Sequence, residues 1–285
     1  MQAQFPQPVF RFAPSPNGFL HLGHAYSALL NQRLARESGG RMLLRIEDID
    51  TTRCTSELIA ATLEDLDWIG FRWEGPVVYQ SQRFGIYRSI LDQLETDGLV
   101  YPCFCSRGDI RRVAGESGAA RCDPDGTPLY PGTCRALAPD VRMTRRRQEA
   151  FALRLDLSAA LARTGPIGGW DESGEGVIRA DPRLWGDVVL ARKDTPTSYH
   201  LSVVIDDAMQ GITDVVRGRD LFCATSVHRL LQRLLGYAPP RYHHHRLLTD
   251  DGGEKLAKSR FSLPLRALRA DGVTPADIRA MLGLD

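Results

Sequence analysis

Apolar positions recur along the first hundred residues with two different periods. Val9 to Ala13 is a short run that ends at Pro14-Ser15-Pro16 and reads as a strand; His24 to Glu37 then carries apolar side chains at helical spacing up to Gly39-Gly40. Met42 to Ile46 is a second strand-like run. Leu58, Ile59, Leu63, Leu66 and Ile69 share one face of a helix expected over 51–69, and Tyr87, Ile90, Leu91 and Leu94 do the same over 84–94. Strand, helix, strand, helix predicts an α/β fold with a parallel sheet of Rossmann type. From Tyr101 to about Trp185 the pattern breaks into short elements with Gly and Pro turns, before Asp187 to Arg192, Leu201 to Ile205 and Ile212 to Arg217 resume strand-like runs. The expected organisation is a first half of a nucleotide-binding domain over 1–100, an inserted α+β domain over 101–185, a second half over 186–247, and a loop with a short helical end over 248–285.

With 285 residues, 43% hydrophobic and 25% charged, the chain has the composition of an ordinary globular enzyme. A net charge of +1 gives no vote for nucleic acid. Met1 to Pro8 lacks a basic and apolar leader pattern, and no apolar window reaches the roughly 18 residues of a membrane span, so the expectation is a cytoplasmic protein with no membrane partner. Six cysteines are too few for a disulfide scaffold, yet Cys103, Cys105, Cys122 and Cys134 crowd together, which suggests metal. Almost all the positive charge is Arg. The lysines are Lys193, Lys255 and Lys258.

Two of those lysines belong to Lys255-Leu256-Ala257-Lys258-Ser259, in a loop announced by Asp250-Asp251-Gly252-Gly253. Its natural partner is His21-Leu22-Gly23-His24, where strand gives way to helix. Such a junction points unpaired N–H groups and a positive helix end outward, which suits phosphate. His21 and His24 share a face of the first turn and can donate to phosphate oxygens as charge builds, while Gly18 and Gly23 permit close approach. Two ammonium groups on the loop can neutralise a departing pyrophosphate. Either motif alone would be a solvated turn or a surface histidine pair; together they indicate ATP, with Mg²⁺ on its phosphates.

A parallel sheet binds ligands beyond the carboxyl ends of its strands, and Arg11 and Arg45-Ile46-Glu47-Asp48 stand there. A glutamate pocket needs two cationic groups for two carboxylates and one anion for the ammonium. Arg11, Glu47, Tyr199 and Arg217 can supply this set.

Arg11-Phe12-Ala13-Pro14-Ser15-Pro16 leading into His21-Leu22-Gly23-His24, with Lys255 to Ser259, resembles the two signatures of class I aminoacyl-tRNA synthetases. Adding Arg45-Ile46-Glu47-Asp48-Ile49-Asp50, Tyr199-His200-Leu201, Asp206-Asp207 and Val216-Arg217-Gly218, the chain is similar to glutamyl-tRNA synthetases throughout their catalytic domain. The resemblance implies a glutamate pocket of Arg11, Phe12, Ala13, Pro14, Ser15, Glu47, Tyr199 and Arg217, ATP contacts from His21, Gly23, His24 and Lys258, and catalysis by His21, His24, Lys255 and Lys258. The chain departs from the usual pattern at Leu256 and Ala257 in the lysine motif, and at Arg219-Asp220 and Ala224 after Arg217-Gly218.

The sequence ends at Asp285, so no anticodon-binding domain is expected, and in this it resembles the truncated paralogs that activate L-glutamate with ATP and esterify it to the queuosine base at the wobble position of tRNA(Asp). The implied partners are L-glutamate, ATP and queuosine-bearing tRNA(Asp), for a monomer. Two alternatives stay open: a glutamyl-tRNA synthetase fragment that charges the 3′ end of tRNA(Glu), and an inactive RNA-binding paralog. The resemblance also implies a structural zinc knuckle of Cys103, Cys105, Tyr130 and Cys134, whereas zinc chemistry alone favours Cys122 as the fourth ligand. His243-His244-His245 reads as a strand without metal, and Arg142, Arg145, Arg146 and Arg147 as a solvated helix face in preference to a phosphate track.

Overall fold

The computed structural model describes residues 7–116, 121–248 and 263–284. The chain starts with β1 (Val9–Phe12), α1 (Leu22–Glu37), β2 (Arg41–Ile46), α2 (Ser56–Trp68), β3 (Val78–Tyr79) and α3 (Phe84–Thr96). β4 (Val100–Cys103), α4 (Arg107–Glu116), α5 (Pro139–Gln148), β5 (Ala152–Leu155) and α6 (Leu157–Thr164) follow, then the hairpin β6 (Gly169–Glu172) and β7 (Gly176–Arg179). β8 (Val189–Ala191), α7 (Tyr199–Met209), β9 (Asp214–Gly218), α8 (Thr225–Leu235), β10 (Arg241–His245), α9 (Leu265–Ala270) and α10 (Pro275–Leu282) complete it.

The large sheet runs β3-β2-β1-β9-β10-β6-β7 and is parallel except for the β6–β7 hairpin. This bears out the expected α/β class with a mainly parallel sheet. Chain order reverses between β1 and β9, the place where such sheets open a crevice. β4, β5 and β8 form a separate antiparallel sheet. The sheets therefore do not divide at residue 185: β6 and β7, from within 101–185, extend the large sheet, and β8, from beyond it, completes the small one.

Strand alternation sorts side chains onto two faces. Phe10, Met42, Leu44 and Val216 join a buried cluster with α1, α2, α9 and α10, whereas Val215 and Tyr242 join the cluster under α7 and α8. Arg11, Arg45 and Arg217 have the parity of the second set. That places three guanidiniums on the face covered by α7 and α8.

Two expected elements differ. The helix expected from residue 51 begins at Ser56, because the Thr55 hydroxyl accepts from the Leu58 amide and caps it there. Leu201 to Ile205, expected as a strand, is the first half of α7, capped by Ser198. Leu201, Val203, Val204 and Ile205 are all buried, so their run has no polar face to reveal a helical period.

Candidate active site

A cavity of about 710 Å³ opens at the carboxyl ends of β1, β2, β9 and β10, lined by Phe12, Ala13, Pro14 and Ser15 after β1, Glu47 after β2, and Tyr199 and Arg217. His21, Gly23 and His24 bring the start of α1 to the same wall. His21 is the N-cap of α1: its Nδ1 accepts from the Gly23 amide at 3.1 Å, and its own amide donates to His24 Nδ1 at 3.2 Å. A ring nitrogen that accepts an N–H carries no proton, so both imidazoles are neutral with hydrogen on Nε2. Burial lowers both pKa values, that of His24 to about 3 with His21 adding to the effect. Helix capping thus fixes two Nε2–H donors. Gly23 serves the same geometry, since a Cβ there would meet His21 Cε1 at 2.9 Å.

Below the wall lies a buried charge cluster. Asp207 Oδ1 takes Arg11 Nε at 3.1 Å and Arg45 Nη1 at 2.8 Å, and Arg45 Nη2 reaches Glu47 Oε1 at 3.2 Å. Burial opposes ionisation of Asp207, but Arg11 and Arg45 outweigh it and hold the carboxyl below its usual range. For Glu47, burial wins and raises the pKa against the pull of Arg45 and Arg11. Arg11 lies under the cavity wall and does not line it.

Arg217 does line it, with every guanidinium donor engaged. Nε donates to His244 Nε2 at 3.0 Å, Nη1 to the Tyr199 hydroxyl at 3.3 Å and to His228 Nδ1 at 3.1 Å, and Nη2 to Thr225 Oγ1 at 2.7 Å and the Leu221 carbonyl at 3.3 Å. Because Tyr199 accepts from Arg217, its own O–H points its proton elsewhere. His244 donates its Nδ1–H to Glu172 Oε2 at 2.7 Å, so the β6 strand braces Arg217 from behind. Sequence reading missed Arg45, Glu172, His228 and His244 as supports. Arg45 and Glu47, two apart on one strand face, were the available signal.

Cys103, Cys105 and Cys134 bring their sulfur atoms within 4.8 Å of one another. Cys105 Sγ lies 3.5 Å from Cys134 Sγ and 3.7 Å from the Tyr130 hydroxyl. Cys122 is exposed and outside the group. A second cavity, of about 920 Å³, runs from Ser15, Glu47 and Tyr199 to Tyr130 and Arg154. Of the arginines on α5, Arg145 pairs with Glu149, Arg146 with Glu95, and Arg142 donates to the carbonyls of Arg135 and Leu137. His243 bonds Asp214, and the three consecutive histidines share no metal-like cluster among the described residues. Lys255 and Lys258 lie outside the described residues. Beyond them, Pro264 pairs with His21 and the Leu265 amide donates to the Leu20 carbonyl at 2.7 Å. No helix among the described residues is long and apolar enough to cross a membrane.

A crevice at the sheet reversal, a histidine-capped helix and a buried arginine cluster are the frame of an amino-acid-activating synthetase. The family of class I tRNA synthetases (E and Q), catalytic domain, matches residues 9–284, and the chain belongs to it as a ligase of the aminoacyl-tRNA synthetase type. Among individual relatives, the glutamyl-Q tRNA(Asp) synthetase of Rhodobacter capsulatus is 50% identical over 97% of this chain and 100% of its own length. The glutamyl-Q tRNA(Asp) synthetase of Nitratidesulfovibrio vulgaris is 41% identical over 96% of this chain and 85% of its own. The solved glutamate-tRNA synthetase of Elizabethkingia anophelis superposes with a TM-score of 0.73 at 26% identity, over 88% of this chain; the chain spans about half, 52%, of that one.

Proposed function

We propose that this chain activates L-glutamate with ATP and transfers the glutamyl group to the queuosine base of tRNA(Asp). The observation that carries the reading is the convergence of Glu47, Tyr199 and Arg217 with His21 and His24 around one cavity. Glu47 offers the anion for the substrate ammonium. Tyr199, polarised by Arg217, donates its hydroxyl proton to a carboxylate. The α-carboxylate of glutamate attacks the α-phosphorus of ATP in line, forming the acyl-phosphate bond of glutamyl-adenylate as the bond to pyrophosphate breaks. His21 and His24 donate to the phosphate oxygens as their charge grows, while Lys255 and Lys258 stabilise the leaving pyrophosphate. An acceptor hydroxyl then attacks the activated carbonyl, gives up its proton and releases AMP. A match at 50% identity that covers the whole length of the Rhodobacter capsulatus glutamyl-Q tRNA(Asp) synthetase supports the queuosine base as acceptor.

Three thiols and a phenol oxygen are a donor set that suits tetrahedral zinc, and Cys103, Cys105, Cys134 and Tyr130 would hold the ion. With all positions filled, such zinc supplies structure alone, tying β4 to the 130–134 loop.

The reading is tested by glutamate-dependent exchange of label between pyrophosphate and ATP, then by transfer of labelled glutamate to tRNA(Asp) with and without queuosine. Absence of exchange removes the enzyme reading. Transfer that ignores the modified base, or that goes to tRNA(Glu), replaces the proposed acceptor.

A further inference from the structure

The hydrogen-bond chain behind Arg217 continues away from the glutamate pocket and ends at a histidine on the wall of the second cavity. A guanidinium N–H can only donate, so His228 Nδ1, 3.1 Å from Arg217 Nη1, is an acceptor and the His228 proton sits on Nε2. That proton has one partner, His200 Nδ1, at 3.2 Å. His200 Nδ1 is therefore an acceptor too, and its proton sits on Nε2. Among the described residues, His200 Nε2 has no hydrogen-bond partner, while the His200 side chain lines the 920 Å³ cavity beside Tyr199. The ring is held between Trp185, 5.7 Å away edge to face, and Tyr199 and His228. Burial, followed by the field of Arg217, lowers the pKa of His200 to about 4.

We infer that His200 is an acceptor-binding residue whose Nε2–H donates to a hydroxyl oxygen of the incoming nucleoside in the second cavity, and that it does not act as the base that deprotonates the attacking hydroxyl. The inference rests on the proposed function for the existence of a transfer step. Two features set His200 on the side of the shared Ser15–Glu47–Tyr199 wall away from His21 and His24. It lines the cavity that reaches toward Tyr130 and Arg154 and is absent from the wall of the His21 cavity. The tautomer argument supplies the rest. To accept a proton at Nε2, His200 would first have to carry its own proton on Nδ1, which requires the His228 proton to move to Nδ1, and that nitrogen faces an arginine N–H that cannot accept it. The two-histidine relay is closed at the Arg217 end, so the imidazole remains a fixed donor.

The test uses the whole chain, ATP, glutamate and queuosine-bearing tRNA(Asp), with H200Q and H200F. Glutamine keeps a side-chain N–H; phenylalanine keeps the ring and its packing on Trp185 and Tyr199. Pyrophosphate exchange reports activation, and single-turnover transfer from preformed glutamyl-adenylate reports the acceptor step. Exchange, including the glutamate KM, is expected to stay at the wild-type level in both variants. Transfer is expected to fall about tenfold in H200F, the loss of one hydrogen bond, and to be largely restored in H200Q. The pH profile of transfer is expected to have the same shape in wild type and H200Q.

Three results overturn the inference: wild-type transfer in H200F, an acidic limb in the wild-type transfer profile (rate falling as pH drops through the pKa of a base) that vanishes in H200Q, or loss of exchange together with transfer, which would make the residue a packing element around Tyr199. Failure of wild-type exchange would strike the proposed function itself and is read before any variant.

Discussion

Arg45 and Asp207 meet at 2.8 Å, Nη1 to Oδ1, under the floor of the cavity, Arg45 fully buried and Asp207 nearly so. Asp207 also holds Arg11, so one carboxylate bridges two guanidiniums brought to the same sheet face by strand alternation. Replacing Asp207 by Asn leaves both cations without their shared counter-charge. D207N is expected to lose about 3–5 kcal/mol of stability, the usual cost of stripping one partner from a buried ion pair. Urea unfolding checks the stability, and a raised glutamate KM in pyrophosphate exchange checks the pocket. An unchanged urea midpoint would contradict the role given to the cluster.

His21 has two functions that substitution can separate. Asparagine is a good N-cap but lacks the reach of an imidazole Nε2–H. H21N is therefore expected to keep helix stability within a few tenths of a kcal/mol, whereas H21A loses about 1 kcal/mol. Both are expected to lose roughly a hundredfold in exchange rate, the scale of removing one donor to a developing charge. G23A is expected to lower exchange as well, because its Cβ displaces the His21 ring. Wild-type exchange in H21N would show that His21 serves the helix alone.

Tyr199 is the route by which Arg217 meets the ligand, since the guanidinium's own donors are engaged. Y199F is expected to raise the glutamate KM about tenfold, one hydrogen bond's worth, with little effect on the KM for ATP. Equal weakening of both would mean the substitution has disturbed the cavity as a whole.

Acid stability follows from the buried histidines. His24, His200 and His244 have folded-state pKa values lowered to about 3, 4 and 4, burial being the leading cause in each. Below the unfolded value of about 6.5 the unfolded chain binds protons that the folded chain refuses, so stability is complete above that pH and is lost as pH falls toward about 4. Glu47, raised by burial, contributes with the opposite sign and is outnumbered. Urea midpoints are expected to decrease steadily between about pH 7 and pH 4.5. A flat profile there would contradict the burial of these rings.

The knuckle makes a discriminating prediction among its candidate ligands. One zinc per chain is expected by elemental analysis, retained in C122S and lost in C103S, C105S or C134S. Chelation is expected to lower the melting temperature of the wild type and to leave that of C134S unchanged. Zinc loss in C122S would return the fourth position to the alternative that zinc chemistry alone favours.

Much of the frame was legible because it rests on local signals. The α1 and α3 patterns and the proline turn after β1 fall where the sequence places them, and Tyr130, not Cys122, stands beside the three thiols. What escaped was long-range. No spacing links Asp207 to Arg45, or Glu172 to His244, because these contacts exist only once strands from distant parts of the chain lie side by side. Leu201 to Ile205 escaped for another reason: an apolar run buried on every side has the same look in a strand and in a helix. The division expected at residue 185 marked a change of texture, whereas strand pairing follows partners the pattern does not encode.

The β6–β7 hairpin gives the chain a limit that matters to anyone who would re-engineer it. A segment joining two halves of a nucleotide-binding fold invites treatment as a cassette, to be excised or exchanged for a relative's. Cutting out 101–191 would remove two strands from the seven-stranded sheet and, with Glu172, the brace of the His244–Arg217 pair. A transplantable module here must begin and end elsewhere: β4, β5 and β8 pair with one another, while the hairpin pairs with β10 and has to remain with its host.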